Sequence, residues 1–87
     1  MPPTQPQRSR RALELVAQDH ALGAVYRVRA VRGWLTRSWK LVVLQEGAGG
    51  TLNLLHKETL PRDVSPDVRM RTLATDIAEG WVRRLDG

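Results

Sequence analysis

The segment 24–31, AVYRVRAV, alternates apolar and basic side chains and restricts the fold more than any other part of the chain. Successive side chains of a β-strand point to opposite faces of the sheet. The alternation therefore places Tyr26 and its apolar neighbours on one face, and Arg27 and Arg29 on the other. It predicts a strand with one buried face and one polar face.

Two further segments predict that this strand belongs to an antiparallel meander. Residues 34–45, WLTRSWKLVVLQ, contain a β-forming apolar run, and residues 51–56, TLNLLH, read as a short third strand. A turn is expected at 32–33, and the glycine-rich EGAGG at 46–50 is typical of a hairpin loop. The result is a three-stranded antiparallel sheet with apolar side chains on both faces at one end.

Residues 10–22 allow two interpretations. Apolar side chains recur at helical spacing between Leu13 and His20, and the segment is rich in the good helix formers Ala, Leu, Glu and Gln. The alternation of Leu13, Leu15 and Ala17 also fits a short strand. A helix is the preferred interpretation.

The C-terminal segment predicts a second helix that packs on the sheet. Ser65-Pro66-Asp67 is a strong helix start, and an apolar stripe at helical spacing continues to about Leu85. The predicted fold is a two-layer α+β domain with the order α-β-β-β-α. It is assigned to residues 10–87, preceded by a disordered, basic and proline-rich tail at 1–9.

Composition excludes several classes of function. The 87 residues contain no cysteine and two histidines, which rules out a disulfide scaffold, a thiol nucleophile and a cysteine zinc site. Nucleotide-binding and hydrolase motifs are missing, so we expect no catalytic residues, no metal and no cofactor. No apolar run approaches the ~20 residues of a membrane span, and the N-terminus lacks the apolar region of a signal peptide. A cytoplasmic protein without membrane contact is expected.

The predicted element order is shared by double-stranded-RNA-binding domains and by HicA-type toxin ribonucleases. Residues 51–78 resemble the last strand and the last helix of these toxins. The toxins' catalytic histidine, on a middle strand after a Gly-Ser pair, has no counterpart in residues 34–45. The lysine-rich start of the second helix in the RNA-binding domains is also missing, because this chain has only Arg69 and Arg71 there. The chain is assigned to neither family.

The main functional signal is a basic, aromatic-rich hairpin. Residues 24–40 contain five basic and no acidic residues, in a chain of net charge +5, together with three of its four aromatic residues. Such a ribbon can follow a phosphate backbone and stack on bases, which predicts a non-enzymatic DNA- or RNA-binding protein. The predicted contacts are Arg27, Arg29, Arg32, Trp34, Arg37 and Lys40, with Arg8, Arg10 and Arg11 of the tail. For Tyr26 and Trp39 a core role is the favoured interpretation, whereas the arginines fit a solvated face as well as a polyanion site.

The alternative class is a protein-binding regulator or inhibitor, of the kind that a phage or mobile element encodes. It rests on the apolar residues of the second sheet face, which need a partner or a second copy of the chain to cover them. The predicted interface residues are Val25, Val31, Val42, Leu44 and Leu55. A homodimer would follow from the same surface.

Overall fold

The computed structural model describes residues 7–8, 12–33, 35 and 37–85, which form an antiparallel sheet with helices on one face. The strands pair in sequential order, each antiparallel to the next. They are β1 (Gln7–Arg8), β2 (Ala12–Gln18), β3 (Val25–Arg32), β4 (Trp39–Glu46) and β5 (Leu52–Thr59), followed by helices α1 (Pro66–Ala78) and α2 (Trp81–Leu85). The α+β class is as predicted, but the meander has four long strands instead of three.

The preferred helix at 10–22 is wrong, because most of this segment forms β2. Leu13, Leu15 and Ala17 are buried, whereas Val16 is 50% exposed on the opposite face. A helix would have placed Val16 beside Leu13. Burial of the alternating residues against α1 overrides the helix propensity of the segment.

The N-terminal boundary of the domain stays a prediction. The expected tail at 1–9 lies outside the described residues apart from Gln7–Arg8, whose backbone pairs with Glu14 and Leu13 of β2. The second strand of the predicted meander is shorter than expected, since β4 begins at Trp39 and not at residue 34.

The core lies between the sheet and α1. One face of each long strand from β2 to β4 meets the apolar stripe of the helix, and the centre of this layer is inaccessible to solvent. Its buried residues are Leu13, Leu15, Ala17, Tyr26, Val28, Ala30, Leu41, Val43, Leu60, Met70, Leu73 and Ile77. Tyr26 is therefore a core residue, and Trp39 packs against the core from the first position of β4.

The predicted C-terminal helix is divided in two. Ser65 occupies the N-cap position without a side-chain capping bond, and Pro66 opens α1 as expected. Gly80 adopts a φ of +97°, which interrupts the helix before α2 begins at Trp81. The break turns Trp81 against the ring of His56 on β5, with ring centroids 5.1 Å apart and an edge-to-face angle of 90°.

A buried aspartate joins the β2–β3 turn to α2. Asp19 is fully buried, and its Oδ1 accepts hydrogen bonds from the backbone N–H groups of Ala21 at 2.8 Å and Leu22 at 3.1 Å. Its Oδ2 accepts a hydrogen bond from Nε of Arg83 at 2.9 Å. Burial opposes ionisation, but the hydrogen bonds from Leu22, Arg83 and Ala21 outweigh it and lower the pKa of Asp19.

Replacing Asp19 with asparagine is expected to lower the melting temperature at neutral pH, because the amide has one acceptor oxygen in place of two and no negative charge to pair with Arg83. The folded pKa of Asp19 lies below its unfolded value, so this stabilisation is present at neutral pH and disappears as the pH falls through the folded pKa. Thermal denaturation followed by circular dichroism should show a gap between wild type and Asp19→Asn that closes in acid. Asp63→Asn, at an exposed position, is the control. A gap of equal size at neutral and acid pH would contradict the assignment.

Candidate nucleic-acid interface

The sheet face opposite the helices, called the outer face below, carries the first two predicted contacts. Arg29 lies directly across from Glu14 in the β2–β3 register, and Nη2 of Arg29 is 2.8 Å from Oε2 of Glu14. Arg27 contacts Glu14 through Nη1 at 2.8 Å and Glu46 through Nε at 2.6 Å. Arg27 and Arg29 are thus each bonded to a carboxylate from a neighbouring strand.

These contacts change the ionisation of the groups that make them. Burial opposes ionisation of Glu14, but hydrogen bonds from Arg29 and Arg27 outweigh it and lower the pKa of Glu14. The hydrogen bonds from Arg27 to Glu46 and to Glu14 raise the pKa of Arg27. Two cations and two anions therefore largely cancel each other's field at the centre of the outer face.

A second group of arginines lies at the end of the sheet where the chain turns from β3 into β4. Arg32 is the last residue of β3 and lies across from Trp39. The turn is closed by hydrogen bonds from N–H of Gly33 to the carbonyl of Ser38 at 3.0 Å, and from N–H of Arg37 to the carbonyl of Gly33 at 2.8 Å. Arg37 returns the chain to β4 with a φ of 56°, a left-handed conformation uncommon for arginine.

The connection from β5 to α1 closes over the same end of the sheet. The backbone N–H of Leu60 donates to the carbonyl of Trp39 at 2.9 Å. Because of this hydrogen bond, Arg62 lies beside the β3–β4 turn. The two segments enclose an open cavity of about 570 Å³. The described residues that line it are Arg32, Leu35, Arg37, Ser38, Trp39, Leu60, Pro61, Arg62 and Val64.

The cavity, called the loop-end cavity below, is basic. Arg32, Arg37 and Arg62 are exposed, and none of them forms an ion pair or side-chain hydrogen bond with another described residue. Its described lining contains no aspartate, glutamate or histidine. Guanidinium groups in such a setting offer unused donors to an oxyanion.

The remaining predicted contacts are dispersed or lie outside the described residues. Lys40 is exposed on the outer face, across from Val31 and Thr59. Trp34, Arg10 and Arg11 lie outside the described residues, and of Arg8 only its place in β1 is described. The structure therefore separates the predicted basic ribbon into a paired centre and an unpaired end.

Arg62 is the cavity residue that sequence reasoning missed. It follows Pro61 in a connection that carries neither an aromatic residue nor a run of bases, so nothing local marks it as a contact. Only the antiparallel meander, which returns the end of β5 to the start of β4, brings it to Arg32 and Arg37.

The predicted apolar interface is largely on the outer face. Val25, Val31, Val42 and Leu44 lie there between the charged side chains. Leu55 does not lie on the outer face. A bulge near Leu44 pairs Leu44 with Leu54 across the strands and turns Leu55 towards the core. Leu54 is 58% exposed on the outer face in its place.

A polar cluster on the helix side of β5 is engaged internally. Nε2 of His56 is 2.8 Å from Oε1 of Glu58, and both oxygens of Glu58 accept hydrogen bonds of 3.0 Å from Arg69 of α1. The bonds from Arg69 lower the pKa of Glu58, against the effect of burial. The cluster ties β5 to α1 and has the character of a structural contact.

No protein-family model, curated protein or solved structure matches this chain. In the described part of the chain, no helix has the length and apolar character of a membrane span. The same ranges contain no group of three His, Asp or Glu side chains that could hold a metal ion. A functional proposal therefore depends on the geometry of the chain's own residues.

A double-mutant cycle of Glu14→Gln and Arg29→Gln is expected to give a coupling free energy of no more than about 1 kcal/mol in urea denaturation, since both side chains are about one-third exposed. The coupling should shrink when the salt concentration is raised. Glu79→Gln, at an exposed position, serves as the single-variant control. Zero coupling at low salt would show that the cross-strand pair contributes nothing to stability.

Proposed function

We propose that this protein binds nucleic acid without catalysis, and that the loop-end cavity is its main contact site. The observation that carries the proposal is the convergence of Arg32, Arg37 and Arg62, all without a carboxylate partner among the described residues, on one concave surface. Unpaired guanidinium groups bind phosphate oxygens through parallel N–H···O hydrogen bonds.

Arg27 and Arg29, which the sequence predicts as phosphate contacts, are not phosphate contacts in this proposal. A phosphate would have to displace Glu14 or Glu46 to reach them, and it would leave a carboxylate facing the nucleic acid. Their main contribution is to hold β3 in register with its neighbours. Lys40, exposed beside the same end of the sheet, extends the basic surface away from the cavity.

The decisive variant removes two cavity cations without disturbing the fold. Arg37→Asn keeps a residue that tolerates the left-handed backbone, and Arg62→Ala changes an exposed loop position. The double variant should bind a fluorescein-labelled single-stranded oligonucleotide about tenfold more weakly in fluorescence anisotropy. Its log-log salt slope should fall by about 0.7 for each phosphate group that the variant no longer neutralises.

The matched control is Arg71→Ala with Arg84→Ala, which removes the same charge from exposed helix positions. If binding weakens equally in both double variants, only the net charge matters and the cavity is not the site. If wild type shows no salt-dependent binding to DNA or RNA, the proposed function is wrong.

A second candidate function is self-association through the outer face. Its apolar residues include Val16, Val31, Leu52 and Leu54, each more than 40% exposed, and the charges at the centre of the face neutralise one another. The central charges therefore do not repel a second copy, and the exposed cations of this face are Lys40 and Lys57. Four strands of this length present a projected area of roughly 500 Å². Stable interfaces bury about 800 Å² per partner, so the area favours weak association only.

Leu54→Lys is expected to abolish any such dimer, because it places a charge opposite Leu44 in the apolar part of the outer face. Sedimentation velocity over a range of concentrations should show a weak monomer–dimer equilibrium for wild type and a monomer for the variant. Val68→Lys, at an exposed apolar position of α1, is the control and should behave as wild type. A wild-type chain that stays monomeric at every concentration would contradict this candidate.

A further inference from the structure

We infer that the loop-end cavity binds the terminal phosphomonoester of a single nucleic-acid strand, an inference that rests on the proposed function and specifies its ligand. The cavity places three arginines around one site of about 570 Å³ and does not distribute them along a surface. A phosphate backbone presents its charges one after another along a path. Several cations around one concavity suit one compact and highly charged group.

The charge of the ligand supports a terminal phosphate over an internal one. An internal phosphodiester carries a single negative charge, whereas a phosphomonoester carries about −1.5 to −2 at neutral pH and has three strongly accepting oxygens. Arg32, Arg37 and Arg62 together supply three charges and several N–H donors with no acid in the described lining to neutralise them. A monoester uses this capacity more fully than a diester does.

The walls of the cavity suit the nucleoside that carries the phosphate. Leu35 and Trp39 contribute apolar surface beside the arginines, and Leu35 is 78% exposed. Trp39 packs against the core, which holds its ring in place as one wall. An unpaired terminal base or ribose can cover this apolar surface, as aromatic and apolar side chains do in single-strand-binding sites.

A continuous duplex is a poorer ligand for the same surface. Recognition of a duplex requires cations spaced along a face or an element that enters a groove. The broad outer face has Lys40 and Lys57 as exposed cations, while its central Arg27 and Arg29 are bonded to Glu14 and Glu46. A blunt duplex also keeps its terminal bases stacked and paired, so the cavity would receive the phosphate without the base.

The test compares single strands of about 12 nucleotides that differ only at one end. Strands with a 5′-phosphate, a 3′-phosphate or hydroxyl groups at both ends carry the same fluorescent label on an internal base and are titrated with the full chain in fluorescence anisotropy. Either the 5′-phosphate strand or the 3′-phosphate strand should bind about tenfold more tightly than the hydroxyl strand. The preference should diminish from about pH 7.5 to about pH 5.5, because the second pKa of a phosphomonoester is near 6.

The variants connect the preference to the cavity. Arg37→Asn with Arg62→Ala should remove the preference for the phosphorylated strand, and Arg71→Ala with Arg84→Ala should preserve it. Circular dichroism of each variant confirms that the fold is retained. Equal affinity of all three strands, with cavity-dependent binding still present, would overturn this inference and leave the proposed function intact.

Three further outcomes would also overturn it. A blunt duplex with hydroxyl groups at all its ends that binds as tightly as the phosphorylated strand would show backbone recognition without a terminal preference. Displacement of the strand by inorganic phosphate at equal affinity would identify an anion site that does not recognise a strand. No binding to any nucleic acid would remove the inference together with the proposed function.

Discussion

The register between β2 and β3 is the constraint on which the charge distribution of this protein depends. It places Glu14 across from Arg29 and within reach of Arg27, while the same pairing buries Leu13 and Leu15 against α1. A slip of one residue would move the leucines to solvent and separate the carboxylate from its arginines. One choice of pairing thus defines the core on one face and neutralises the centre of the other.

This neutralisation divides the cations into two groups with different consequences. Arg27 and Arg29 lie at the centre of the sheet and satisfy carboxylates of neighbouring strands. Arg32 ends β3 across from the uncharged Trp39, and Arg37 and Arg62 lie in connections outside the strands, so none of the three has a carboxylate across the sheet. Paired side chains are restrained by their partners, whereas unpaired ones keep their donors available for a ligand. The difference arises from position in the sheet, since all five residues are chemically the same.

The fold could be predicted from sequence where a local pattern matched a tertiary one. The alternation of β3 and the Ser65-Pro66 helix start were both correct, because strand periodicity and the preference of proline for the first helical turn act within a few residues. The N-terminal segment was assigned to a helix because its propensity competes with burial that only the sheet supplies. Because residues 10–22 are predicted to be helical, the sequence pattern does not place Glu14 beside β3. The ion pairs of Glu14 with Arg27 and Arg29 are therefore not predicted. Arg62 reaches the cavity only through long-range pairing, which no local signal reports.

The hydrogen bonds of the buried Asp19 are spatially separate from the proposed binding site. Asp19 joins α2 to the turn that precedes β3, whereas Arg32 lies at the opposite end of that strand. At a rise of about 3.3 Å per residue, the eight residues of β3 place the two ends roughly 25 Å apart. At ordinary ionic strength this exceeds the Debye length of about 8 Å several times, so the buried aspartate has little effect on the potential at the cavity. Substitutions at the exposed arginines can therefore change ligand binding while leaving the network that stabilises the domain intact.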